Sequence, residues 1–79
     1  MWTLDYTEEV KFYFLDNGSL VFNLLVKIEE LKFMPEGIPA EGCTQIETGL
    51  LWWEVLRHIV IYERVVEEKQ LIITAIKPI

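Results

Sequence analysis

The run from Gly49 to Ile76 constrains the fold more than any other part of the chain: it reads GLLWWEVLRHIVIYERVVEEKQLIITAI. Apolar, β-branched and aromatic residues, which are enriched in strands, fill three stretches in succession. These stretches are Leu50–Leu56, His58–Val66 and Gln70–Ile76, and the charged tripeptide Glu67–Lys69 separates the last two. The pattern predicts three strands of one sheet. The last two are apolar on both faces, so they should lie centrally or be covered on both sides.

The N-terminal part indicates one more strand followed by a helix. Trp2–Tyr6 alternates apolar and polar residues, as a short strand does. Thr7 is then a candidate N-cap, because its hydroxyl can accept hydrogen bonds from free backbone N–H groups. Glu8 and Glu9 follow at positions where the helix dipole favours negative charge. We therefore expect a helix to begin at Glu8.

The Asn17-Gly18 dipeptide allows two interpretations. Between two strands it would form a tight hairpin turn. Between two helices, Gly18 would end the first helix in a left-handed conformation and Ser19 would cap the second. The residues that follow have helical spacing, with an apolar stripe at Leu20, Leu24, Ile28 and Leu31. This periodicity favours two helices over a hairpin.

The segment Phe33–Thr48 is predicted to be a long loop. Pro35 and Pro39 would break a continuing helix, and the segment also contains two glycines, Gly37 and Gly42. A loop of this length in a small domain is a candidate functional segment or one that a partner orders. The predicted order of elements is therefore β-α-α-loop-β-β-β, an α+β protein.

Composition restricts the classes of function. The 79 residues, treated as a single domain 1–79, are 52% hydrophobic and 13% aromatic, which indicates a dense core or an apolar surface covered by a partner. The net charge of −6 repels phosphate backbones. Four of the seven basic residues lie in residues 57–79, so any nucleic-acid contact is expected near the C-terminal strands.

Compartment and cofactors are constrained by what the sequence lacks. Cys43 is the one cysteine, so no internal disulfide forms and a reducing compartment is indicated. The N-terminus has no basic region of a signal peptide, and the uncharged runs are too short for a membrane helix. We expect a cytoplasmic, soluble protein. No spacing of His, Cys and Asp predicts a metal site and no glycine-rich loop predicts a phosphate site, so no cofactor is expected.

Three stretches resemble the RelE/ParE toxin superfamily of toxin–antitoxin systems: Leu24–Gly37 (LLVKIEELKFMPEG), Gly49–Tyr62 (GLLWWEVLRHIVIY) and Leu71–Lys77 (LIITAIK). The resemblance implies a short N-terminal strand, a two-helix hairpin and a three-stranded antiparallel meander. It also implies that the helices pack on one face of the sheet and leave a concave surface on the other. Ribonuclease members use that surface to cut messenger RNA at the ribosome, whereas ParE-type members poison DNA gyrase. It further implies an antitoxin partner, growth inhibition and a role in plasmid stabilisation.

The polar residues depart from the family pattern. Glu54 stands where the family usually has an arginine in one strand, and Ile59 stands where it has an arginine in the next. Arg57 lies in the connecting turn. Because the arginines are not retained, the resemblance leaves open whether the chain is an enzyme.

RNA cleavage would need a base, an acid and cations that stabilise the developing phosphorane charge. The candidate catalytic residues are Glu54 as base, His58 as acid, and Arg57 and Arg64 as cations. Residues 58, 60, 62 and 64 share one strand face, so His58, Tyr62 and Arg64 are expected on one surface. The alternative is structural: Glu54 would pair with Arg57 or Arg64 in a salt bridge, and His58 would be hydrogen-bonded or solvent-facing.

The adjacent tryptophans suggest binding. Successive strand residues point to opposite faces, so one of Trp52 and Trp53 enters the core and the other lies on the second face. Tryptophan is frequent at interface hot spots, whereas a base-stacking role would need a basic groove. The candidate binding residues are Trp52, Trp53, Tyr62 and Lys77.

Three hypotheses about function remain. The first is a RelE/ParE-like toxin, with an antitoxin as partner and ribosome-bound mRNA or gyrase as target. The second is a non-catalytic binding module on the same scaffold, which pairs with an antitoxin-like peptide or forms a homodimer. The third is an unrelated small α+β domain, since a fold does not by itself specify function.

Overall fold

The computed structural model describes residues 1–79 and contains five strands and two α-helices. The strands are β1 (Thr3–Tyr6), β2 (Thr44–Glu47), β3 (Leu50–Val55), β4 (His58–Val65) and β5 (Gln70–Pro78). The helices are α1 (Glu8–Asn17) and α2 (Phe22–Glu29), and short 3₁₀ turns span Gly18–Val21, Glu30–Phe33 and Val66–Glu68. The α+β class predicted from the sequence is confirmed. No helix has the length and apolar character needed to cross a membrane.

All five strands form one sheet in the order β1-β5-β4-β3-β2. The pairs β2–β3, β3–β4 and β4–β5 are antiparallel, whereas β1 lies parallel to β5. The predicted meander is therefore present, and its last two strands lie inside the sheet, as their two apolar faces indicated. The β4–β5 pair contains a bulge, since Ile61 faces Ala75 whereas Tyr62 faces Ile73.

The prediction of an unstructured loop from Phe33 to Thr48 is wrong at its C-terminal end. Thr44–Glu47 forms the edge strand β2, which pairs with β3 through Thr44–Trp52 and Gln45–Leu51. All its side chains are exposed, so the strand has none of the apolar alternation by which strands are recognised. Its backbone pairing with β3 makes it a strand, although β3 has buried side chains and β2 has none.

The two-helix interpretation of Asn17-Gly18 is confirmed, with corrections to its details. Gly18 has a φ of +46° and donates its N–H to the carbonyl of Phe14. Ser19 does not cap α2, because the chain passes directly through a 3₁₀ turn. Leu20 was expected in the buried stripe but is 86% exposed, and Val21 takes its place in the core. The tighter 3₁₀ turn changes the spacing only ahead of α2, since Leu24, Ile28 and Leu31 are buried as predicted.

Thr7 occupies the N-cap position of α1, but its side chain makes no capping hydrogen bond. Its hydroxyl donates instead to the carbonyl of Thr74, at 3.4 Å, in the bulge of β5. The predicted capping role is therefore wrong, and the hydroxyl joins α1 to the sheet. Residues Glu8 and Glu9 do lie in the first turn of α1, as expected.

The hydrophobic core lies between the helices and one face of the sheet, as the resemblance implied. Its fourteen buried side chains are Trp2, Val10, Val21, Leu24, Ile28, Leu31, Leu51, Trp53, Val55, Val60, Tyr62, Leu71, Ile73 and Ile76. Residues paired across neighbouring strands share a face, so every buried strand residue belongs to the same side of the sheet. On the other side no strand residue is fully buried. We call this second side the open face.

Candidate functional site

The sheet separates the predicted base from the predicted acid. Glu54 is paired with Ile59 and therefore lies on the open face, where it is exposed. His58 is paired with Val55, a core residue, and therefore lies on the face covered by the helices. Two side chains on opposite faces of a sheet cannot act on the same phosphodiester, so the predicted Glu54–His58 acid–base pair does not form.

Both ring nitrogens of His58 are hydrogen-bonded within the protein. Its Nδ1 lies 2.8 Å from the carbonyl oxygen of Leu56, and its Nε2 lies 2.9 Å from the hydroxyl of Tyr13. A carbonyl only accepts, so Nδ1 donates to Leu56, and in the neutral ring Nε2 accepts from Tyr13. The imidazole thus connects the β3–β4 hairpin to α1, which is the structural alternative considered for this residue.

Arg57 lies at the tip of the β3–β4 hairpin and is exposed. The two turn residues, Leu56 and Arg57, have φ values of 48° and 61°. Positive φ at both central positions is the geometry of a type I′ turn, which normally contains Asn and Gly. The carbonyl of Arg57 accepts a hydrogen bond of 2.9 Å from the N–H of Ile79. The guanidinium makes no ion pair and lies at one end of the sheet.

Arg64 shares the helix-covered face with His58 and Tyr62, as the strand alternation predicted, but it holds a loop in place. Its Nε donates to the carbonyl of Glu36, and its guanidinium lies 3.6 Å from the Glu36 carboxylate. The guanidinium carbon also lies 5.3 Å from the ring centre of Trp2, a cation–π distance. No guanidinium group is left on this face for a phosphate.

Two of the predicted binding residues are inside the core. Trp53 is 2% exposed and Tyr62 is 0% exposed, so neither side chain can reach a ligand in this conformation. The Tyr62 hydroxyl donates to the carbonyl of Gly37 at 2.9 Å, and the Trp53 indole donates to the carboxylate of Glu41 at 3.0 Å. Burial, and then the neighbouring Cys43, raises the pKa of Tyr62 well above its usual value. These bonds fasten the long loop to the sheet.

Trp52 and Lys77 are the predicted binding residues that lie on the open face. Trp52 faces Ile61, which in turn faces Ala75, and this row crosses the middle of the sheet. Lys77 faces Ile59, on the other side of which is Glu54. Lys77 and Glu54 are therefore two strands apart, about 10 Å between backbones. The structure thus identifies Trp52 as the half-buried tryptophan outside the core.

The open face has an apolar centre and a mainly acidic rim. The centre consists of Leu50, Trp52, Ile59, Ile61, Ile72 and Ala75, all of them partly exposed. The rim carries the carboxylates of Asp5, Glu47 and Glu54 and the single ammonium of Lys77, and the carboxylate of Glu63 lies further in, between Leu50 and Ile72. Sequence reasoning missed Asp5, Ile61, Glu63 and Ile72 as part of this surface. Strand alternation could have assigned their face, but only the sheet order shows that they are neighbours.

A shallow depression of about 410 Å³ borders the open face at Trp52. It is lined by Glu41, Gly42, Cys43, Thr44, Trp52 and Glu54. Hydrogen bonds from its own backbone N–H and from the Trp53 indole lower the pKa of Glu41, so this carboxylate is charged near neutral pH. No three His, Cys, Asp or Glu side chains lie close enough together to hold a metal ion. The depression therefore combines an indole with an acidic lining.

Together, the fold and the open face define a small α+β protein whose five-stranded mixed sheet is covered by helices on one side only. This is the fold of the RelE toxin. The isolated E. coli RelE toxin superposes with a TM-score of 0.76 at 15% identity, over 99% of this chain and 84% of RelE. The resemblance found in the sequence is therefore confirmed at the level of the fold.

Two further solved structures support the same assignment. An arginine-to-alanine double mutant of E. coli RelE, in complex with a peptide of the antitoxin RelB, gives a TM-score of 0.73 at 15% identity and covers 99% of this chain and 83% of the other. The intact E. coli RelBE toxin–antitoxin complex gives 0.68 at 15% identity, covering 100% and 98% of the two chains. No protein-family model matches the sequence, and no curated protein matches it.

Proposed function

We propose that this protein is the toxin component of a toxin–antitoxin system and that it acts by binding proteins, without cleaving RNA. The observation that carries the proposal is the RelE fold combined with an open face that is apolar at its centre and acidic at its rim. Proteins of similar fold are toxins, and one of them is bound to an antitoxin peptide. An antitoxin-like protein is therefore the expected partner, in the cytoplasm.

The charges on the open face argue against RNA as a ligand. The open face carries one cation, Lys77, and the carboxylates of Asp5, Glu54 and Glu63. A phosphate backbone would therefore meet net repulsion there. Phosphodiester cleavage also requires cations that stabilise the charge of the transition state. Of the two arginines, Arg64 is bound to Glu36 on the other side of the sheet, and Arg57 lies in the hairpin turn at one end of it. Of the two activities implied by the resemblance, inhibition of a protein target such as DNA gyrase fits these charges.

The test is inducible expression of the chain, alone and together with the reading frame that adjoins its gene. We expect expression to arrest growth, the adjoining protein to relieve the arrest, and messenger RNA ends mapped after induction to remain intact. Arrest accompanied by new cuts in ribosome-bound mRNA would contradict the protein-binding mode of action. Normal growth with verified soluble expression would contradict the assignment as a toxin.

A second candidate function, a self-associating binding module, is favoured by a separate surface on the helices. Phe22, Val26 and Phe33 are 60%, 42% and 73% exposed and follow one another at helical spacing along α2 and the turn after it. The charges beside this stripe are balanced, since Glu29 pairs with Lys32 and Glu30 pairs with Lys27. A second copy of the chain could therefore approach without net repulsion.

Sedimentation at several protein concentrations tests this second candidate. A homodimer that dissociates on dilution is expected, and the double variant Phe22→Ser, Phe33→Ser should remain a monomer throughout. The matched control is Leu15→Ser, which removes a side chain that is 76% exposed on the other helix, α1. A strictly monomeric wild-type protein would exclude the homodimer.

A further inference from the structure

We propose that the open face is the docking surface for a basic, amphipathic segment of a partner protein, with Trp52 as its anchor. The inference rests on the proposed function and adds to it the place of binding and the chemistry of the partner. It predicts a partner with an apolar stripe flanked by lysine or arginine side chains.

The apolar centre of the open face is continuous across three strands. Trp52, Ile61 and Ala75 form one unbroken apolar row. In the next row Leu50 and Ile72 lie on either side of Glu63, whose carboxylate is therefore set within the apolar surface. Side chains directly opposite each other on neighbouring strands are only about 5 Å apart, so these residues form one surface. Contiguous apolar surface of this kind on a soluble chain marks an interaction site. On the opposite side of the same sheet, the helices cover the apolar side chains.

The charges at the rim select among the occupants. A second copy of the chain would bring Asp5, Glu54 and Glu63 against the same three carboxylates, and like charges in an interface are strongly unfavourable. A nucleic acid is repelled for the same reason. A basic protein segment instead gains from both components, because its apolar side chains cover the centre and its cations meet the rim. The helix stripe at Phe22 and Phe33, where the charges are balanced, has no such preference.

The depression beside Trp52 provides a specific contact for one of these cations. The lining of the depression combines Trp52 and Thr44 with the carboxylates of Glu54 and Glu41, the second of which also accepts the Trp53 indole N–H. A guanidinium or ammonium placed here would lie beside the Trp52 ring and donate to the Glu54 carboxylate, and both interactions are favourable for a partly desolvated cation. This arrangement explains why an acidic side chain at position 54, unfavourable for RNA, suits a protein partner.

Two synthetic amphipathic peptides of equal length and identical leucine spacing provide the test, one with lysine and one with glutamate at every polar position. Binding to the full chain is followed by tryptophan fluorescence and its quenching by acrylamide. Trp2 and Trp53 are 4% and 2% exposed, so quenching reports chiefly on Trp52. We expect the lysine peptide to protect Trp52 and to bind at least about tenfold more tightly than the glutamate peptide, with affinity that falls as salt rises.

Charge reversal on the face provides the matched variants. The double variant Glu54→Lys, Glu63→Lys should lower the affinity for the lysine peptide by about tenfold or more. The control is Glu9→Lys, Asp16→Lys, which makes the same change in net charge on exposed residues of α1. Circular dichroism melts confirm that each variant is folded. The control should retain most of the wild-type affinity.

Several results would overturn the inference. Equal affinity for the two peptides would mean that the face binds apolar surfaces without regard to charge. Equal losses in the two double variants would mean that only net charge matters. Failure of both peptides to protect Trp52 would remove the docking surface altogether. Because binding is measured on purified protein, absent growth arrest with intact peptide binding would contradict the toxin assignment alone.

Discussion

Glu54 and His58, four residues apart in the β3–β4 hairpin, lie on opposite faces of the sheet. Glu54 is opposite Ile59 and His58 is opposite Val55, and neighbouring pairs of a ladder alternate between faces. The helices cover the side of His58, whereas the side of Glu54 is open. This single relationship separates the two side chains that an acid–base mechanism of RNA cleavage would have combined.

Removing either side chain tests that separation. Glu54→Gln should weaken growth inhibition no more than it weakens binding of the lysine peptide, because no acid–base step depends on the carboxylate. His58→Gln should lower stability by about 0.5–1.5 kcal/mol, because it disturbs the hydrogen bonds to Tyr13 and Leu56. Growth curves on matched expression levels and chemical denaturation measure the two effects. Loss of toxicity in both variants without loss of stability would indicate a shared catalytic role.

Gly37 should be the least replaceable glycine. It has a φ of +68°, and an added Cβ would lie 3.0 Å from a methyl group of Leu71 and 3.1 Å from the ring of Trp2. Gly37→Ala is therefore expected to lower the free energy of unfolding by about 2–4 kcal/mol, because backbone strain and overpacking add together.

Gly42→Ala is the control for Gly37, because Gly42 has a φ of +90° but open space around it. This substitution should lower the free energy of unfolding by about 1–2 kcal/mol, through backbone strain alone. Urea unfolding of both variants separates the two components. Equal losses would show that the contacts with Leu71 and Trp2 do not limit this position.

Tyr62→Phe should destabilise the protein by about 1–3 kcal/mol, because it leaves the buried carbonyl of Gly37 without its donor. Tyr13→Phe removes a hydroxyl from a half-buried site, where water can replace it as a partner of His58. That control should cost less than about 1 kcal/mol. Thermal unfolding followed by circular dichroism compares the two, and a smaller loss for Tyr62→Phe would contradict the proposed role of this bond.

Leu56→Asn should stabilise the hairpin by up to about 1 kcal/mol. Leu56 has a φ of 48°, which is unfavourable for leucine, and asparagine tolerates this conformation better. The control is Leu20→Asn, in which a leucine that is 86% exposed is replaced in a 3₁₀ turn without this strain. Denaturant midpoints should rise for the first variant only; a rise in both would attribute the effect to the removal of exposed leucine.

Acid should weaken the contact between Glu29 and its two partners. Burial opposes ionisation of Glu29, but hydrogen bonds from Lys32 and Tyr6 outweigh it and lower the pKa of Glu29 in the folded protein. A lowered pKa contributes stability above the unfolded value of about 4.3, and this contribution is lost as the pH falls through the folded value. Because the Glu29 side chain is 38% exposed, solvent screening keeps the effect small.

Denaturant midpoints measured between neutral pH and about pH 3 test this dependence. The wild-type midpoint should fall more steeply with acid than that of Glu29→Gln, which has no carboxyl group to protonate at this site. The partners Tyr6 and Lys32 are unchanged in the variant. Parallel curves for the two proteins would show that Glu29 does not contribute to acid sensitivity.

Local patterns in the sequence were sufficient for the main elements. The alternation and β-branched content of residues 50–76 predicted three adjacent strands, and the helical spacing of Leu24, Ile28 and Leu31 predicted α2. Both signals arise because one side of each element is buried. Where burial gives no signal, the prediction was wrong, as it was for the exposed edge strand Thr44–Glu47.

The sequence by itself determined the strand block, the two helices, the acidic charge and the opposite orientation of Trp52 and Trp53. These properties depend on residues that are near one another in the chain. Only the tertiary structure decided that Trp53 enters the core, that Arg64 binds Glu36, and that the apolar centre of the open face has an acidic rim. Each of these depends on strand order and register, which bring together residues that are far apart in the chain.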